Sequence, residues 1–184
     1  MKLSALALGA MLSVSALAGA AYAANPDVGG AAMFEDKTIV ENAIHSPDHT
    51  TLVAAVQAAG LVDTLSGPGP FTVFAPTNEA FAMLPAGTVD DLLKPENKDQ
   101  LVRVLTCHVL PARALLTDVV SMIEADGGTH EVTTVGGCKL WLSVADGKVM
   151  VRDENGGTAT VTIADVLQSN GVIHVVDHVL LPKM

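Results

Sequence analysis

Positive charge is scarce in this chain: 10 Lys and Arg stand against 20 Asp and Glu, for a formal net charge of −10. No basic cluster occurs anywhere along it. Nucleic acid and anionic membrane surfaces are therefore poor partners, because both demand patches of cations. Aromatic residues are rarer still, with one Trp, one Tyr and four Phe. The Tyr is Tyr22, in the leader described below, which leaves Phe34, Phe71, Phe74, Phe81 and Trp141. Stacking platforms for sugars or unpaired bases are few in such a set, which weakens a lectin-like reading. There is no G-x-S-x-G, no phosphate-binding P-loop, no C-x-x-C and no N-x-S/T sequon, so the sequence carries no local sign of a hydrolase elbow, a nucleotide site, thioredoxin-like chemistry or N-glycosylation.

The longest apolar run is at the start. Lys2 precedes a stretch of Leu, Ala, Val, Ser and Met from Leu3 to Ala18, and Ala21-Tyr22-Ala23 has the small-x-small form of a cleavage site. This is the three-part pattern of a secretory signal peptide over residues 1–23, with the cut after Ala23. An uncleaved anchor is the alternative, but the run is short for one. No Cys follows the cut and no twin Arg precedes it. Removal of Lys2 takes the net charge to −11 and leaves 161 residues (184 less 23), enough for one domain with a real core. The rest has no run long enough to span a bilayer, so the expected product is secreted or periplasmic, without stable membrane insertion after cleavage.

Only two cysteines are present, Cys107 and Cys138. In an oxidising compartment an even pair predicts a disulfide. It would close a loop of 32 residues, both ends counted, and stabilise the fold by roughly 3 to 4 kcal/mol on the chain-entropy model. Two buried thiols or a redox pair are the alternatives.

Residues 24–36 contain Pro and Gly and read as a mobile lead-in. Helical spacing begins near Lys37, breaks at Pro47, and resumes with Leu52, Val53, Val56 and Ala59 up to a cap at Gly60. Gly67-Pro68-Gly69-Pro70 breaks all regular structure. Phe71 to Ala75 reads as a buried strand stopped by Pro76, and Thr77 caps a short helix holding Ala80, Phe81 and Leu84. Pro95 opens a longer helix through Leu105. His108 to Leu110 is extended, and Thr117 to Ala125 is helical. Four strand runs follow, Glu131–Val135, Cys138–Val144, Lys148–Arg152 and Thr158–Ala164, separated by Gly-Gly, Asp-Gly and Asn-Gly-Gly turns. Gly171 to Leu181 is apolar on both faces, the mark of a central strand covered on both sides. Helices first and strands later predict an α+β domain with antiparallel sheets over residues 37–184.

Three segments carry a family likeness. Phe71-Thr72-Val73-Phe74-Ala75-Pro76-Thr77-Asn78-Glu79-Ala80-Phe81 closely resembles the first signature box of fasciclin (FAS1) domains. Asn170-Gly171-Val172-Ile173-His174-Val175-Val176-Asp177, with Val179-Leu180 and Leu181-Pro182, resembles the second. Leu105 to Leu110, with His108, is similar to the Tyr-His segment between them. The resemblance covers nearly the whole chain from Lys37 onward. It implies a fold of two β-sheets in a wedge with helices packed on one side, and an adhesion or protein-binding role outside the cell without a cofactor. In the position of the family's usual Tyr stands Cys107, so recognition through that ring is not implied. Some animal members bind integrins through an Asp-Ile pair near the second box; here His178 follows Asp177, and integrin binding is not implied either.

Single residues with chemical potential read mostly as scaffold. His108, among Leu and Val, is expected in the core and bonded to backbone. Asp177, expected within an apolar strand face, must find hydrogen bonds there. His174 and His178 share a strand face about 13 Å apart, too far to share an ion, and Pro47 separates His45 from His49. Asp153-Glu154-Asn155-Gly156-Gly157 resembles a calcium loop, but its twelfth position is Ala164 rather than Glu, so it reads as a hairpin turn. The expectation is therefore no catalytic, cofactor or metal residues. The partner is an extracytoplasmic protein or cell-surface component, met by the helix after the first box and the loops near the second. A lipid-like small-ligand carrier, or a hydrolase built on an Asp177–His pair, is the alternative.

Overall fold

The computed structural model describes residues 25–183; the signal peptide expected over residues 1–23 and its expected cleavage site lie outside them. The elements in chain order are α1 (Ile39–Ala43), a 3-10 turn (Pro47–His49), α2 (Thr50–Ala59), α3 (Val62–Ser66), β1 (Phe71–Pro76), α4 (Asn78–Ala82), α5 (Thr88–Leu92), a second 3-10 turn (Pro95–Asn97), α6 (Lys98–Thr106), β2 (Val109–Leu110), α7 (Leu116–Ala125), β3 (Thr129–Thr133), β4 (Lys139–Ala145), β5 (Lys148–Arg152), β6 (Thr158–Gln168) and β7 (Gly171–Val176). Thr38 opens α1 with a reciprocal capping box to Glu41. Gly60 closes α2 in the left-handed region, φ 72°, which a side chain would resist. Thr77 caps α4 by accepting the Ala80 N–H at 3.3 Å.

Seven strands form the order β2-β1-β7-β6-β5-β4-β3. All neighbours are antiparallel except β1 and β7, which run parallel from Phe71↔Gly171 to Pro76↔Val176. This corrects the expectation of purely antiparallel sheets. Turn chemistry reports only on strands joined by a short turn, and most of the second half of the chain lies between β1 and β7. The first residues of β6 pair with β5, and those from Val161 onward pair with β7 through two register shifts. Asp165, at φ 56°, sits within that irregularity. Such bulges bend a strand, and β6 is thus the line along which the two sheets of the wedge meet.

Two apolar clusters fill the domain. Side chains from α1 to α6 gather with Val73, Ala75, Val109, Ile173 and Val175. Val119 and Ile123 of α7 join Leu140, Leu142, Val149, Val151, Ala159, Val161 and Val176 in the other. Strand β7 feeds both, Ile173 and Val175 to one and Val176 to the other, so its expected two-sided burial is observed. It ends at Val176, five residues short of the expected end. The lead-in packs against the domain: Asn25 exchanges two hydrogen bonds with Leu167, at 2.7 and 2.8 Å, and Val28 and Met33 are buried in the first cluster.

The open side of the sheet is closed by chain following β3. Val135 N–H donates to Val109 O at 2.8 Å and Gly136 N–H to Thr106 O at 3.1 Å. The Cys107–Cys138 disulfide lies at this seam, with its Cα atoms 5.4 Å apart, inside the span that such a bond bridges without backbone movement.

Candidate functional site

The first box, the middle segment and the second box come together, and their buried polar side chains turn to backbone. Thr72 is fully buried in β1. Its Oγ1 donates to Ala112 O at 2.6 Å and accepts the Ala114 N–H at 2.9 Å, fixing the turn between β2 and α7. Asn78 accepts the Thr51 N–H at 3.0 Å and donates to Pro47 O at 2.9 Å, tying α4 to the start of α2. Asn170 accepts the Ile39 N–H and donates to Leu65 O and Gly67 O, joining α1 and α3 to the turn before β7. Gly171 has no room for a side chain: a Cβ there would lie 2.1 Å from Phe71 O. Phe71, Val73, Phe74, Ala75, Pro76 and Phe81 contribute strand and packing surface, with Phe74 tilted against His174 at 5.9 Å between ring centroids.

The two box histidines are held in defined tautomers. His108 donates from Nδ1 to Val104 O at 2.8 Å, and its Nε2 accepts the Leu180 N–H at 2.9 Å. Both ring nitrogens are thus in use only if the ring is neutral. Burial pushes its pKa down to about 4, against a weaker upward pull from the Val104 carbonyl. His174 is wired the opposite way, Nδ1 accepting the Asp165 N–H at 3.2 Å and Nε2 donating to Ala114 O at 2.9 Å, and burial lowers its pKa as well. His49, between Ser46 and Ala75 O, is lowered for the same reason.

Asp177 lies one residue beyond β7 rather than in a strand face. Its Oδ1 accepts the Thr160 N–H at 2.7 Å and contacts His178 Nδ1 at 2.8 Å. Partial burial raises its pKa, but these bonds outweigh that and hold it below the usual value. The sequence reading missed four buried or half-buried stitches. Asp165 accepts the Leu116 N–H at 2.7 Å, at the start of α7. Asp153 receives the N–H groups of Asn155, Gly157 and Leu181, which makes its segment a hairpin turn tied to the C-terminal strand exit. Asn42 and Gln168 hydrogen-bond each other in the interior. The available signal was a lone amide or acid inside an apolar run, as at Asp165 in the β6 sequence.

With the interior consumed, contact surface is left outside. An open groove of about 760 Å³ runs between α5, α6 and the segment after β7, with Leu92, Val104, Leu181 and Pro182 as apolar floor and Asp91, Asn97 and Asn155 at its edge. On the other side of the first box, Met83 stands 56 % exposed just past α4. Among the described residues no cluster of His, Cys, Asp or Glu could hold a metal ion, and no helix is long and apolar enough to cross a membrane.

The comparisons with known proteins agree with this architecture. The family model for the Fasciclin domain matches residues 47–182. The chain is 54 % identical over 147 residues to protein sll1483 of Synechocystis sp., covering 80 % of this chain and 74 % of that one. It is 34 % identical over 171 residues to the immunogenic protein MPB70 of Mycobacterium bovis, covering 89 % of this chain and 79 % of that one. Among solved structures it is similar to a FAS1 domain pair from the insect cell adhesion molecule Fasciclin I, with a TM-score of 0.70 at 18 % identity over 79 % of this chain and 51 % of that one. The class is thus an α+β FAS1 fold. This chain belongs to the Fasciclin domain family.

Proposed function

We propose that the mature chain is a non-catalytic binding module that works outside the cytoplasm, taking a protein or cell-surface component on its loops and helix ends. The observation that carries this reading is the saturation of the box residues. Thr72, His108, Asn170 and His174 bond the backbone of the same domain, and Asn78 bonds backbone and the Thr50 hydroxyl. They build the scaffold, and a ligand would have to break it to reach them. The insect relative of known structure is a cell adhesion molecule by its title, which fits the same reading.

Neither alternative is favoured at the place expected for it. The apolar void between helices and sheet, lined by Val40, Leu52, Val56, Leu105 and Val109 among others, holds about 40 Å³, far below the roughly 300 Å³ at which ligand pockets begin. The Asp177–His178 pair is a contact between sequence neighbours at the surface, and among the described residues no hydroxyl or thiol bonds to that His as a nucleophile would.

The test is capture by the immobilised mature protein, made by export so that its cysteines oxidise, from envelope and secreted fractions of its source. A specific macromolecule retained at physiological salt supports the module, and its loss on Asp177→Ala with folding intact places the contact near the second box. Retention of nothing, together with turnover of an ester or peptide substrate that one His substitution abolishes, overturns it.

A further inference from the structure

Of the six asparagines in the chain, two precede a glycine, in Asn155-Gly156 and Asn170-Gly171. That dipeptide is chemically labile. Glycine has no Cβ to shield its nitrogen or restrict its backbone, so the nitrogen can attack the preceding side-chain amide and close a cyclic imide.

The fold treats the two pairs differently. Asn170 is clamped at both ends: Oδ1 accepts the Ile39 N–H at 3.0 Å, and Nδ2 donates to Leu65 O at 2.7 Å and Gly67 O at 3.0 Å. Its backbone carbonyl accepts the Phe71 N–H at 3.1 Å, and Gly171 is buried in β7 against Phe71. Ring closure there would pull α1 and α3 off the sheet and part β7 from β1. Asn155 is exposed in the turn between β5 and β6. Gly156 stands at φ 87°, and the space where a Cβ would lie is open. Its N–H donates to Asp153 O at 3.2 Å, at the long end of the usual range, and that bond is given up on ring closure. Asp153 holds the rest of the turn meanwhile, through the Gly157 and Leu181 N–H groups.

The Asn155 amide has a task that an acid cannot perform. Its Nδ2 donates to Leu181 O and to Pro182 O, both at 3.0 Å. A carboxylate has no donor and would face two carbonyl oxygens. Asn155, Leu181 and Pro182 together line the open groove beside α5 and α6.

We propose that Asn155 is a self-modification site: it deamidates in the folded protein, and loss of its amide unfastens the segment after β7 and sets a new negative charge at the edge of the groove. Hydroxide takes the Gly156 N–H proton, and the nitrogen attacks Asn155 Cγ. The N–Cγ bond forms, the Cγ–Nδ2 bond breaks, and ammonia leaves with a proton from solvent. Water then opens the imide at either carbonyl, giving aspartate or isoaspartate. The sum consumes one water and releases one ammonia, with no change of oxidation state. Asn170 has the same chemistry available and is protected by the fold alone.

The test incubates the mature, oxidised protein in mildly alkaline buffer, digests it, and reads both sites by mass spectrometry with a separation that resolves isoaspartate. Conversion at least about ten-fold faster at Asn155 than at Asn170 is expected in the folded chain, with both acid isomers formed, and similar rates at the two sites in urea. Gly156→Ala should slow conversion of Asn155 about ten-fold, since a methyl group then crowds the attacking nitrogen. Asn155→Asp mimics the modified state. It should speed amide exchange of Leu181 and Lys183 about ten-fold and leave β4 and β5 unchanged, with melting temperatures checking that both variants fold. Equal rates at the two sites in the folded chain, aspartate without isoaspartate, or indifference to Gly156→Ala would overturn the modification. Unchanged exchange at Leu181 and Lys183 in Asn155→Asp would overturn its consequence for the groove.

Discussion

In the sheet built from β3, β4 and β5, inward Leu140, Leu142, Val149 and Val151 alternate with outward Trp141, Ser143, Met150 and Arg152, and the ladders carry most of the polar bookkeeping. In the part built from β2, β1 and β7 the strands are buried on both faces, and six short or medium helices must be fastened to them. There the joints are single side chains reaching distant backbone: Thr72, Asn78, His108, Asn170 and His174. An antiparallel meander stabilises itself by repetition, whereas a layered helical region depends on a few irreplaceable polar stitches. The signature boxes lie in the second region because that is where no repeating pattern can substitute for a particular residue.

Removing a stitch should therefore cost far more than altering the meander's open face. His108→Ala leaves the Leu180 N–H and Val104 O without partners and opens a cavity, and a loss of about 3 to 5 kcal/mol in denaturant unfolding is expected. A loss under 1 kcal/mol would break the comparison. The Cys107→Ala, Cys138→Ala double variant should lose roughly 3 kcal/mol by the same measurement, because the crosslink closes the seam between the two regions.

Acid should unfasten the helical region first. His108, His49 and His174 all have pKa values lowered in the fold, His108 to about 4 from 6.5. The unfolded chain binds protons that the folded chain refuses, so stability is complete above about pH 6.5 and falls as pH drops towards 4, by on the order of 3 kcal/mol from His108 alone. Hydrogen exchange at pH 5 should accelerate in α6 and around Leu180 before it does in β4 and β5. Asn170→Ala, which frees the Ile39 N–H and two carbonyls, should cost about 2 kcal/mol. On the open face, Ser143→Ala should stay within about 0.5 kcal/mol, read as melting temperature.

The same contrast explains what could be read in advance. The hairpins β4–β5 and β5–β6 followed from alternation and from Asp-Gly and Asn-Gly turns, and the two-sided burial of β7 followed from its apolar faces. The start of β6 was legible, but its continuation to Gln168 was not, because Asp165 reads as a strand breaker until His174 and Leu116 are placed beside it. Asp177 was expected in a strand face and lies past its end, since the length of β7 is set by its parallel partner, which ends at Pro76. The packing of the lead-in was not legible because the bonds of Asn25 go to Leu167, more than 140 residues away.

By itself, then, the sequence determined the local elements, the shared faces of its strands, the acidic surface and the family likeness of its boxes, all of which are written in short-range pattern and composition. Only the tertiary structure decided the parallel pairing of β1 with β7, the tautomers of His108 and His174, and the fixing of an exposed Phe34 by a buried Asn42. Each of those depends on which distant backbone group a donor or acceptor meets once water is excluded. That is a property of packing, and no local run of residues encodes it.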